Sequence, residues 1–150
     1  MKEEVRSWAL RLLSAVGLAI GVAACGSSSP TGPSTPPPQG PAELQIVDVR
    51  VGTGETLQAG QLIAVNYELW LYDPSGTDSK GTRIEGGPFQ TRLQTGAVIQ
   101  GWVQGLPGMK VGGIRRLIIP PSLAYGSQGN GPIPGNAWII FEVELLAVAP

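Results

Sequence analysis

Between Val98 and Leu106 the chain reads VIQGWVQGL, and its apolar residues Ile99, Trp102, Val103 and Leu106 recur at the spacing of one helical face. Gly101 and Gly105 each cost about 1 kcal/mol of helix propensity against alanine, so tertiary packing must hold such a helix. The glycines also permit close approach of backbone or ligand. Pro107-Gly108 stops the segment, Lys110-Val111-Gly112-Gly113 forms a turn, and Ile114 to Ile119 is β-branched enough for a strand. Pro120-Pro121 ends that strand and the turn Leu123-Ala124-Tyr125-Gly126 follows.

Alternation elsewhere predicts a sheet. Ile63, Val65, Tyr67, Leu69 and Leu71 share one parity, and Ile139, Phe141, Val143 and Leu145 share another, each reading as a half-buried strand. Ile46 to Val51 and Phe89 to Leu93 are shorter candidates. One short helix against an antiparallel sheet of about five strands is an α+β fold. Trp70 and Trp138 fall on the opposite parity and read as residues of the outer face.

The N-terminus differs in kind. Lys2, Arg6 and Arg11 flank an apolar run from Leu12 to Ala24 that ends in Val22-Ala23-Ala24-Cys25. The run is too short to span a bilayer, which takes about 20 residues, and it reads as a secretory signal. The pattern resembles a bacterial lipoprotein signal, which implies cleavage before Cys25 and lipid attachment to it. Residues 1–24 are then the signal peptide, 25–42 a lipidated cysteine with a Ser/Pro/Gly-rich tether, and 43–150 the folded domain. Lipid on Cys25 would anchor the protein to a membrane. Gly26 after the cysteine points to the outer membrane facing the periplasm.

The remaining chain carries seven Lys and Arg against nine acids, a net charge of −2 with no basic field for nucleic acid. The chain has no histidine and its single cysteine is Cys25, so zinc sites, His-based triads and cysteine nucleophiles are excluded. No metal or cofactor is expected. The chemistry left is that of shape, burial and hydrogen bonds.

The V-I-x-G-W start of the helix (Val98, Ile99, Gly101, Trp102), the Tyr125-Gly126 turn, Gly60-Gln61, Val65-Asn66-Tyr67, Pro88-Phe89, Ile133-Pro134 and Phe141 to Leu146 occur in order. Together they resemble the FKBP family of peptidyl-prolyl cis/trans isomerases from about Leu44 to Leu146. The resemblance implies a fold of one helix under a wrapped sheet, a proline pocket floored by Trp102, and Tyr125, Ile99 and Glu85 as catalytic residues. Tyr67, Ile84, Phe89, Val98, Ile133 and Phe141 would bind substrate. The implied partners are proline-containing segments of exported proteins and macrolide immunosuppressant-type inhibitors, and the implied state is a monomer. A non-catalytic binding module or chaperone with a degenerate pocket is the alternative.

Two departures stand out. Ile84 and Glu85 take the places of the family's Phe-Asp pair, and the segment from there to Pro88 is shorter, which implies reduced turnover and altered preference before proline. Glu85 is expected either to orient Tyr125 or to face solvent.

Overall fold

A computed structural model describes residues 35–150, so the expected signal peptide and Cys25 lie outside the described residues. The elements run β1 (Gln45–Arg50), β2 (Leu62–Tyr72), β3 (Lys80–Arg92), α1 (Gln100–Gly105), β4 (Ile114–Ile119) and β5 (Ile139–Ala149). All five strands form one antiparallel sheet in the order β1-β4-β5-β2-β3, with α1 against one face. This is the α+β architecture that the alternation predicts.

The expected parity appears in the core: Ile63, Val65, Leu69, Ile139, Phe141, Val143 and Leu145 are buried with Leu117, Ile119, Trp102 and Leu106. In β2 and β4 the buried residues alternate with wetter ones, whereas in β5 Ile140, on the opposite parity, is fully buried as well. At the β1 edge, Ile46, Val47 and Val49 remain about half exposed.

The helix differs from its expected extent. Ile99 is extended (φ −62, ψ 152) and caps α1 rather than opening it, so the helical turns begin at Gln100. Its buried residues are Gly101, Trp102 and Gly105. A Cβ at Gly101 would stand 2.6 Å from Ile119 Cγ2, and one at Gly105 2.7 Å from Leu117 Cδ2. Both glycines therefore serve the contact with β4, and that contact brings the Trp102 backbone close to the sheet. Arg115, 9% exposed, fixes the other end: its Nη1 donates to the carbonyls of Gly105 at 2.9 Å and Pro107 at 3.2 Å, while Nε meets Asp48 Oδ1 at 2.6 Å. One guanidinium thus satisfies carbonyls that the helix end leaves without partners.

β3 also differs, beginning at Lys80 rather than Phe89. Its Gly86-Gly87-Pro88 stretch has no strand propensity of its own, yet pairing with β2 carries it through. Leu69 pairs with Glu85 and Trp70 with Arg83, which leaves Ile84 as the extra residue of a β-bulge. On the outer face, Arg116 reaches Glu142 at 2.7 Å and Asp78 at 2.9 Å, and Lys80 lies 2.8 Å from Glu142 and 4.2 Å from the Trp70 ring centroid. Trp138 donates from Nε1 to Pro41 O at 2.9 Å, so both outer tryptophans are engaged within the chain.

Candidate functional site

Between α1 and the concave side of β2, β3 and β5 lies a cavity of about 410 Å³. Its walls are Tyr67, Glu85, Phe89, Gly96, Ala97, Val98, Ile99, Trp102, Tyr125 and Phe141. Strand alternation and register account for three of its five aromatic rings, and Tyr125 comes from the turn after β4. Tyr67 pairs with Gly87 on β3 and Val143 on β5, so Phe89 and Phe141 sit two residues along on the same face. α1 supplies the remaining ring, Trp102.

The rings meet mostly edge to face. Centroids are 5.8 Å apart for Tyr67 and Trp102 (79°), 5.2 Å for Trp102 and Phe141 (80°), and 6.0 Å for Tyr67 and Phe89 (77°). Such T-shaped pairs place a positive ring edge on a negative face, each contributing about 0.5 to 1.5 kcal/mol beyond burial. The indole Nε1–H of Trp102 is buried with no acceptor among the described residues, one unpaired polar group in an otherwise apolar box.

Polarity enters at the rim. The Tyr67 hydroxyl donates to Glu85 Oε1 at 3.0 Å. Glu85 joins none of the ion pairs among the described residues. Burial, then the bond to Glu85 and its charge, raise the Tyr67 phenol above its ordinary 10.0. Burial and the Glu85 charge likewise raise Tyr125, partly offset by the Asn130 side chain nearby. Both phenols are therefore neutral donors at physiological pH. Ile99, at the start of α1, accepts at its carbonyl from the N–H of Trp102 at 3.0 Å, and its own N–H precedes the helix.

Eight of the ten residues expected at the site meet in this cavity: Tyr67, Glu85, Phe89, Val98, Ile99, Trp102, Tyr125 and Phe141. Ile84 and Ile133 do not line it. The bulge turns Ile84 against the core, where it is half-buried, and Ile133 is itself a core residue at 5% exposure. Glu85 bonds to Tyr67, not to Tyr125. Gly96 and Ala97, not expected at the site, shape the wall with little or no side chain, so no residue pattern marks them. Among the described residues no group of three or more His, Cys, Asp or Glu is placed to hold a metal ion.

Comparison with known proteins gives a consistent answer. A sequence model of the FKBP-type peptidyl-prolyl cis-trans isomerase family matches residues 53–146. An FK506-binding protein of Streptomyces anulatus is 44% identical over 110 residues, covering 72% of this chain and 88% of that protein. FK506-binding protein 4 of Chaetomium thermophilum is 42% identical over 105 residues, covering 70% of this chain but only 21% of its own length. The crystal structure of FkpA from Escherichia coli superposes with a TM-score of 0.61 at 38% identity, over 71% of this chain and 48% of that one. The chain thus spans a fifth of one relative, half of another and most of a third.

Proposed function

The chain belongs to the FKBP-type peptidyl-prolyl cis-trans isomerase family, and from that premise we propose that its aromatic cavity turns X-Pro bonds in exported polypeptides at the bacterial cell envelope. The observation that carries this reading is the apolar box of Tyr67, Phe89, Trp102 and Phe141 with two neutral phenols at its rim.

Resonance gives the amide a rotational barrier of about 18 to 20 kcal/mol. The planar amide separates more charge than the twisted one, so moving it from water into an apolar site raises the ground state relative to the transition state. Trp102 would underlie the proline ring. The Tyr125 hydroxyl and the Ile99 N–H are the donors that would hold substrate carbonyls, and Glu85 would fix the Tyr67 wall. No covalent nucleophile takes part. Removing about 6 kcal/mol from the barrier would speed rotation about ten-thousand-fold. The same box would admit macrolides of the FK506 type.

The envelope setting rests on the signal and Cys25, with the Ser/Pro/Gly-rich segment as tether and lipid as anchor, in the outer membrane facing the periplasm. The protein would act there as a monomeric folding assistant.

Isomerisation of short X-Pro peptides by the purified chain, with a Trp102→Leu, Tyr125→Phe double variant as control, tests this reading. Acceleration that the double variant loses is the expected result. A folded protein that binds proline peptides but accelerates none would make the site a binding module instead. A shift of the chain from the membrane to the soluble fraction on Cys25→Ser is expected, and unchanged fractionation would sink the lipid anchor.

A further inference from the structure

β3 ends the strand order and so has one unpaired side, yet it also supplies two cavity walls, Glu85 and Phe89. The direction of its main-chain groups follows from its last bonds. The N–H of Leu93 donates to Gln61 O at 2.9 Å and its carbonyl accepts from the Gly60 N–H at 2.8 Å, so Leu93 faces the β2 side. Register with β2 is unbroken from Arg92 back to Glu85. Alternation then turns Phe89, Gly87 and Glu85 toward β2, and Gln90, Pro88 and Gly86 outward. Pro88 agrees with this assignment, because a residue without an N–H belongs where the ladder asks for none.

Among the described residues no strand pairs with β3 on that outward side. The N–H and carbonyl of Gly86 and Gln90 are therefore open to a further chain. The cavity is also open at this strand. Residues 85, 87 and 89 share one face, and a Cβ built at Gly87 meets no atom within 4 Å. Between Glu85 and Phe89 the wall has no side chain at all.

We propose that the free edge of β3 takes up the residues preceding the substrate proline as an added strand, bonded through the main chain to Gly86 and Gln90 while the proline ring sits in the cavity. This inference rests on the isomerase reading of that cavity. Proline itself selects the occupant: the residue before it is driven out of the helical region into extended geometry, the geometry an added strand needs. Main-chain pairing ignores side-chain identity, so the partner is any unfolded, extended polypeptide that reaches the cavity with a proline. A folded domain with a buried proline loop has no free strand to offer.

The experiment compares a ten-residue peptide, with proline near its C-terminus, and a tetrapeptide sharing the same X-Pro core. With the unchanged full chain, the longer peptide is expected to show a KM about fivefold lower, as one or two added hydrogen bonds imply. Gln90→Pro removes the outward N–H, leaves the β2 ladder intact, and is expected to erase that advantage. Amide exchange in the unchanged protein gives a second readout that needs no variant to fold: saturating long peptide should slow Gly86 and Gln90, and the tetrapeptide should slow neither. Equal KM values, or unaltered exchange at both amides while the long peptide is bound, would overturn the edge site. Slowed exchange without acceleration of either peptide would keep the edge site and sink the isomerase reading instead.

Discussion

Tyr67 on β2 and Glu85 on β3 are bonded hydroxyl to carboxylate at 3.0 Å although they are not opposite one another: Tyr67 pairs with Gly87, and Glu85 stands one diagonal step away. The missing side chain at Gly87 leaves the hydroxyl room to reach across. The bond ties the edge strand to a central ring of the cavity, since Tyr67 contacts Phe89, Trp102 and Phe141 together.

Tyr67→Phe keeps those ring contacts and removes only the bond, so a stability loss of about 1 kcal/mol in denaturant unfolding is expected. Tyr67→Ala opens the box and should cost about 3 to 5 kcal/mol. Peptide isomerisation should fall more than tenfold with alanine, and less than that with phenylalanine.

Arg115 offers a sharper test of how the cavity floor is held. Arg115→Met leaves the carbonyls at the end of α1 and the Asp48 carboxylate without their donor, and should destabilise the fold by about 2 to 4 kcal/mol in urea unfolding. Arg115→Lys is expected to recover little, because a point charge cannot reproduce the guanidinium fork.

Gly101→Ala drives a methyl into Ile119, at a cost of about 1 to 3 kcal/mol by overpacking. Ile119→Ala removes the three atoms that the methyl would meet. A double-mutant cycle by denaturant unfolding should therefore show the pair less destabilising than the sum of the singles, and strict additivity would mean the helix does not rest on Ile119.

Acid should attack the outer face. Burial opposes ionisation of Glu142, but hydrogen bonds from Lys80 and Arg116 outweigh it and hold the carboxyl below its ordinary 4.5. A carboxyl with a lowered folded pKa contributes fully above its unfolded value, and that contribution is lost as pH falls through the folded one. Unfolding midpoints should thus drop as pH decreases from about 5 toward about 3, with a shallower drop in Glu142→Gln, which starts less stable at neutral pH.

Much of this was legible in the residues. β2 and, past Ile140, β5 alternate because each buries one face, and Trp102 announces itself through its spacing from Ile99 and Leu106. What stayed hidden depends on register. The bulge at Ile84 has no residue signature, yet it decides that Ile84 joins the core while Glu85 reaches the rim. Nor could sequence choose Tyr67 over Tyr125 as the partner of Glu85, since that choice is a matter of one diagonal step between strands. Gly86-Gly87-Pro88 reads as a turn locally and is strand only because β2 lies alongside it.

The hydrogen bond from Trp138 to Pro41, with Gly40 lying against the same indole ring, meets the chain four residues before β1 begins. Mechanical load on the segment ahead of residue 40 is consequently taken first by Trp138, next to β5, and not by the β1-β4 ladder. Were the proposed anchor at Cys25 in place, drag on a polypeptide held in the cavity would have to pull out that staple before it could begin to unzip the sheet from its edge.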